Sequence, residues 1–131
     1  MHPPLLVETD IIVEYLTQEH STMRDALSHA VCYTTFTNAL ELFAAATTDK
    51  EEEAIQQALM PMRLLGLNWR NAKAFAETGR RIADRTGLRL SSRELVIVGM
   101  AETSKLTILT KEHFDRYKDM GVPVINTLSG S

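Results

Sequence analysis

Four acids stand where short apolar runs give way to amphipathic ones. Glu8 follows Leu5-Leu6-Val7, Glu41 lies in the segment after the β-formers of residues 30–36, Glu94 opens an apolar stretch, and Glu112 follows residues 106–109. If the apolar runs are parallel strands and the acids follow their C-terminal ends, these carboxylates meet at one sheet edge, where open α/β sheets build their sites. Clustered carboxylates repel and need a cation or raised pKa values. A hard divalent ion such as Mg²⁺ or Mn²⁺ takes oxygen ligands, keeps several waters and is held by few carboxylates. Such a centre hydrolyses phosphodiesters by activating a bound water and neutralising phosphoryl charge.

Each acid also has a plainer role. Ser91 and Glu94 have capping-box spacing, as do Asn38 and Glu41. Glu112 suits the positive end of a helix dipole. Glu8 has the weakest structural excuse, because packing does not explain an acid directly after an apolar strand. Thr9 and Thr110 are able to hydrogen-bond a ligand carboxylate or a metal-bound water, and both also read as caps. Arg93 and Lys111 flank two of the acids and would either meet phosphate or be solvated. His113 reads as a packing or surface residue.

The elements that must position these residues alternate in type. Strand-length runs fall at residues 5–7, 30–36, 106–109 and 124–125, with a short edge strand at 64–67. Between them, helical spacing appears from Thr9 as N-cap (Ile11, Ile12, Tyr15, Leu16) and over residues 21–30. It returns after residue 36 (Leu40, Phe43 and Ala44 inward) and over 51–65 (Ile55, Ala58, Leu59, Met62). A longer helix carries Trp69, Ala72, Phe75, Ala76, Gly79 and Ile82 on one face and ends at Gly87, a residue suited to a left-handed cap. A buried helix from Ser91 and a last one from Lys111 to about Asp119 complete the pattern. Strands alternating with helices imply a parallel sheet covered on both faces.

The bulk numbers narrow the function. A chain of 131 residues can close one core without disulfides or metal staples. A net charge of -3 gives no global attraction to phosphate, so nucleic-acid chemistry requires bridging cations or a local basic patch. The stretch holding Arg80, Arg81, Arg85 and Arg89 reads first as a solvated face. Cys32, the only cysteine, sits in an apolar run and reads as buried. There is no basic, apolar leader and no run of bilayer length, so the expectation is a cytoplasmic protein with no membrane association.

Residues 5–16, Leu-Leu-Val-Glu-Thr-Asp-Ile-Ile-Val-Glu-Tyr-Leu, resemble the first strand and helix of the PIN-domain family, in which Glu8 is ordinarily Asp. Residues 106–114 and 121–126 resemble its last acidic segment and terminal strand, and the chain is most similar to VapC-type toxins of prokaryotic toxin-antitoxin pairs. The resemblance implies that residues 1–131 form a single PIN-like domain, a three-layer α/β/α sandwich with a mainly parallel sheet. It further implies Mg²⁺- or Mn²⁺-dependent endoribonuclease activity on RNA, a small antitoxin partner and a homodimer. The family's first, third and fourth acids fall on Glu8, Glu94 and Glu112, the expected metal ligands. The second falls on Asn38, by a Thr-x-x-Glu pattern read from Thr35, or on Glu41 one turn later. Thr9, Asn38 and Thr110 support the site. Replacing Asp with Glu moves a carboxylate outward by about 1.5 Å, and Mg²⁺ demands near-ideal octahedral geometry. A catalytically weak or inactive PIN-like module that binds RNA or a protein partner is therefore the alternative.

Overall fold

In the computed structural model, which describes residues 2–18 and 21–128, five strands lie in one all-parallel sheet of order β3-β2-β1-β4-β5. The strands are β1 (Leu5–Val7), β2 (Cys32–Thr35), β3 (Arg63–Leu65), β4 (Thr107–Leu109) and β5 (Val124–Ile125). Helices α1 (Thr9–Thr17), α2 (Thr22–His29), α3 (Phe36–Ala45) and α4 (Asp49–Leu59) alternate with the first three strands. Next come α5 (Trp69–Thr86), α6 (Ser92–Ser104) and, after β4, α7 (Phe114–Met120). This is the α/β/α sandwich implied by the alternation of strands and helices.

The central strand β1 is wholly apolar because both of its faces are covered. Leu5 and Val7 join Ile11, Ile12, Met23, Ala26, Leu42, Ile55 and Ala58 in the core under α1–α4. Leu6 turns the opposite way, into Phe75, Ile82, Ile97, Val98, Tyr117 and Met120 under α5–α7. Period-two alternation on one short strand thus serves two cores. The chain builds β1, β2 and β3 outward on one side and then crosses to β4 on the other. The switch point lies between β1 and β4, where Val7 pairs with Leu109. No helix among the described residues is long and apolar enough to cross a membrane.

Local signals place most helix ends. Ser91 accepts from the Glu94 N–H while the Glu94 carboxylate accepts from the Ser91 N–H, closing the expected capping box. Gly87 ends α5 at φ 78°, a left-handed cap that glycine adopts without a Cβ clash. Cys32 is buried as expected, and burial pushes its thiol pKa up to about 11.

Five expectations are corrected. The N-cap of α1 is Glu8, so Thr9 is the first helical residue rather than the cap. Thr35 caps α3 by accepting from the Asn38 N–H, which removes the Asn38–Glu41 capping box. That start sets the helix phase so that Asn38, Ala39 and Leu42 turn inward, leaving Leu40 56% and Phe43 38% exposed. Trp69 is 80% exposed because the buried face of α5 begins only at Phe75. Finally, α7 starts at Phe114 rather than Lys111: the Asp10 carboxylate accepts from the N–H groups of Lys111 and Glu112 and holds them in a loop.

Close approach of α5 and α6 depends on two glycines. A Cβ on Gly99 would lie 2.3 Å from Cδ1 and 2.4 Å from Cγ of the buried Phe75 ring. One on Gly79 would meet mainly the tip of the Leu95 side chain, at 2.2 Å. Gly99→Ala is expected to destabilise the fold by about 1–3 kcal/mol through overpacking. Gly79→Ala should cost less, because Leu95 can change rotamer and alanine favours helix by about 1 kcal/mol. Urea denaturation of both variants checks the order.

Candidate functional site

Glu8 leaves the end of β1 at the switch point and is fully buried. Its backbone N–H donates to the Leu109 carbonyl at 3.1 Å, stapling β1 to β4 at the base of the cleft. A carboxylate taken wholly out of water demands charge-assisted partners. It finds three donors: Arg93 Nη2 to Oε1 at 2.8 Å, Arg93 Nη1 to Oε2 at 3.0 Å, and the Tyr117 hydroxyl to Oε2 at 2.8 Å. The Arg93 pair is a bidentate fork, the strongest geometry available to a guanidinium.

The same guanidinium gathers the remaining polar groups of the cleft. Nε donates to Glu41 Oε1 at 3.0 Å, and Nη2 also reaches Thr9 Oγ1 and Asn38 Oδ1, each at 3.3 Å. Asn38 is itself buried and fixed from behind, its Nδ2 donating to the Val7 carbonyl and to Thr34 Oγ1, both at 3.2 Å. Asn38 and Glu41, the two alternatives for the second family acid, therefore meet the same group. Burial opposes the charge on Arg93, but the hydrogen bonds and field of Glu8, and then the field of Glu41, hold its pKa above the ordinary arginine value. Burial, and secondly the negative Glu8, raise the Tyr117 phenol above its usual range, so it stays a donor.

Glu94 and Glu112 take their interactions elsewhere. Glu94 serves the Ser91 cap and accepts from Arg116 Nε at 2.9 Å, while Arg116 Nη2 also ties to the Arg89 carbonyl at 2.7 Å. The Arg116 hydrogen bond, opposed by burial, holds the Glu94 carboxyl below the ordinary Glu value. The Glu112 side chain is 69% exposed and has His113 Nε2 at 4.0 Å. Thr110 donates to Asp10 Oδ1 at 2.8 Å and accepts from the His113 N–H, organising the β4–α7 loop around Asp10.

Glu8, Glu94 and Glu112, the expected cation ligands, each engage different partners: Arg93 and Tyr117, Arg116, and His113. Among the described residues, no group of three or more His, Cys, Asp or Glu side chains could hold a metal ion. No buried side-chain nitrogen or oxygen lacks a hydrogen-bond partner there, so no orphaned oxygen points to a ligand. The donor set does not fit Mg²⁺ or Mn²⁺, because both Glu8 oxygens are already committed to N–H and O–H donors.

This architecture recurs in solved structures. A Rickettsia felis VapBC2 bound to a promoter DNA fragment aligns at TM-score 0.72 and 13% identity, covering 93% of this chain and 97% of that one. The chain has a VapC-type, PIN-like fold. FitAcB from Neisseria gonorrhoeae aligns at TM-score 0.71 and 20% identity over 93% and 96% of the two chains. A toxin-antitoxin complex from Klebsiella pneumoniae aligns at 0.68 and 18% over the same shares. No family model and no curated protein sequence matches. At these identities the likeness carries the fold and not the chemistry.

Sequence reasoning missed the central role of Arg93, and missed Tyr117 and Asp10 altogether. The only available signal for Arg93 was its place beside Glu94 at the start of a buried helix, and spacing does not say which of two adjacent residues turns inward.

Glu8→Ala should destabilise the protein by about 3–5 kcal/mol, since it strands a half-buried guanidinium. Tyr117→Phe should cost about 1–3 kcal/mol by leaving one carboxylate oxygen short of a donor. Chemical denaturation measures both. A depressed carboxyl pKa contributes stability that is present above the ordinary Glu value of 4.5 and is lost as pH falls below it. The stability difference between wild type and Arg116→Gln should accordingly shrink as pH is lowered from 4.5, in denaturation curves recorded across the acid range.

Proposed function

We propose that this chain is a partner-binding module of the toxin-antitoxin kind whose acid cleft is closed by its own arginine and does not hydrolyse RNA. The single observation that carries this reading is the Arg93 fork on the buried Glu8, extended to Glu41. In VapC-type proteins generally, the corresponding cleft is expected to work with a divalent metal. Here a fixed organic cation meets the acids that would be its ligands.

The partner reading draws on apolar surface as well as on fold. Val13, Phe36, Leu40 and Phe43 are exposed on α1 and α3. Val13 also lines a cavity of about 340 Å³ with Leu16, Leu42, Ala45 and Ile55, from α1, α3 and α4. Isolated exposed apolar residues need no explanation, but several on two neighbouring helices, one of them at the mouth of an apolar cavity, suit a contact surface. The similar solved structures are described as VapBC and toxin-antitoxin complexes, which favours a small antitoxin-type protein as the occupant. A second copy of the chain is the other partner that such a face would suit.

Metal-dependent RNA cleavage is the competing reading, and the two acids facing one group, Glu8 and Glu41, are what favours it. Purified protein incubated with RNA and Mn²⁺ or Mg²⁺ is expected to give no cleavage above that of Glu41→Gln or Glu8→Gln. Cleavage by the wild type that both substitutions abolish would overturn the closed-cleft reading. For the partner, the product of a short reading frame adjacent to this gene should co-purify with the tagged chain. Val13→Glu should weaken that complex by about tenfold or more, as one buried charge is worth at least about 1.4 kcal/mol.

A further inference from the structure

We infer that Arg93 is a tethered counter-cation that excludes divalent metal from Glu8, so that the chain responds to Mn²⁺ only when the guanidinium is removed. This rests on the closed-cleft reading and gives it a cause.

The buried Glu8 carboxylate must be compensated, because an isolated charge in that position costs several kcal/mol. Compensation could come from a mobile ion or from the chain itself. The chain supplies it from 85 positions away in sequence, by bringing the first turn of α6 over the end of β1. One planar cation then does what a bridging ion would do, contacting Glu8 through Nη1 and Nη2 and Glu41 through Nε. Thr9 and Asn38 offer it two further oxygens.

Competition strongly favours the tethered group. An intramolecular ligand acts at an effective concentration of about millimolar or more without paying for association. A Mg²⁺ or Mn²⁺ ion must instead shed water, reach its own octahedral geometry and break a bidentate pair. Arg93 also keeps only a quarter of its side chain exposed, so water screens the pair weakly. Tyr117 donates a hydrogen bond to Oε2 of the same carboxylate from the α7 side. Once Arg93 is gone, Glu8, Glu41, Asn38 and Thr9 form an all-oxygen set suited to a hard cation.

The test measures Mn²⁺ binding by electron paramagnetic resonance and the thermal midpoint without RNA, on wild type, Arg93→Met and Glu8→Gln/Arg93→Met. Methionine keeps the volume and removes the charge. Wild type should leave the free-Mn²⁺ signal and its midpoint unchanged at millimolar ion. Arg93→Met should melt lower, bind one Mn²⁺ about tenfold or more tightly than wild type does, and regain its midpoint as Mn²⁺ is added. The double variant should lose that response. Should Arg93→Met fail to fold without metal, refolding on Mn²⁺ addition supports the inference. Arg93→Lys, which keeps a charge but not the fork, should then bind Mn²⁺ to an intermediate extent. Glu8-dependent Mn²⁺ binding by wild type equal to that of the variants overturns it, as does an Arg93→Met or Arg93→Lys protein indifferent to Mn²⁺. A wild type that binds Mn²⁺ but leaves RNA intact would sink this inference alone. Cleavage by a wild type that takes up no Mn²⁺ until RNA is present would sink only the closed-cleft reading.

Discussion

A carboxylate with no access to water sits at the end of the central strand, and the upper half of the molecule is arranged to neutralise it. Glu8 takes its backbone position from β1 pairing with β4 and its charge balance from α6, and its third donor comes from α7. The end of β1 is thereby locked to three consecutive elements from the other end of the chain, α6, β4 and α7. A buried ion pair is seldom a net source of stability compared with an apolar replacement, but it is costly to break. Its effect is to define how α6 and α7 sit against the sheet.

That constraint separates the two ends of the acid inventory. Glu8 and Glu41 are joined through Arg93, while Glu94 and Asp10 are spent on architecture. Glu94 caps α6 and pins Arg116, and Asp10 organises the loop after β4. An acid at a strand-to-helix junction therefore has two outlets: the cleft in front, or the unsatisfied N–H groups and arginines around it. Here Glu94 and Asp10 take the second course. The likeness to VapBC and FitAcB structures extends over nearly the full chain, yet at 13–20% identity it describes a scaffold on which a cleft can be rebuilt.

The apolar face of α3 follows from the same local decision at Thr35. Because its hydroxyl caps α3, Asn38 turns toward the end of β1 and the helix rolls Leu40 and Phe43 outward. Placing a polar side chain behind the cleft thus exposes apolar ones on the far side, and the surface offered to a partner is coupled to the interior of the site.

The sequence by itself determined the order of elements, the parallel sheet, the glycine cap at residue 87 and the capping box at Ser91, since these rest on local periodicity and on groups three or four residues apart. It also singled out Glu8, because an acid directly after an apolar strand has no local explanation. Only the tertiary structure decided what Glu8 meets. Which of Arg93 and Glu94 turns inward depends on the rotation of α6 about its axis, and that is set by Phe75 packing against Gly99 and by the sheet beneath. Tyr117 reaches Glu8 only because α7 is seated on the same core. Spacing along the chain carries helix phase within one element. It does not carry the phase between elements, and that phase decides whether an acid cleft faces water, a metal or an arginine.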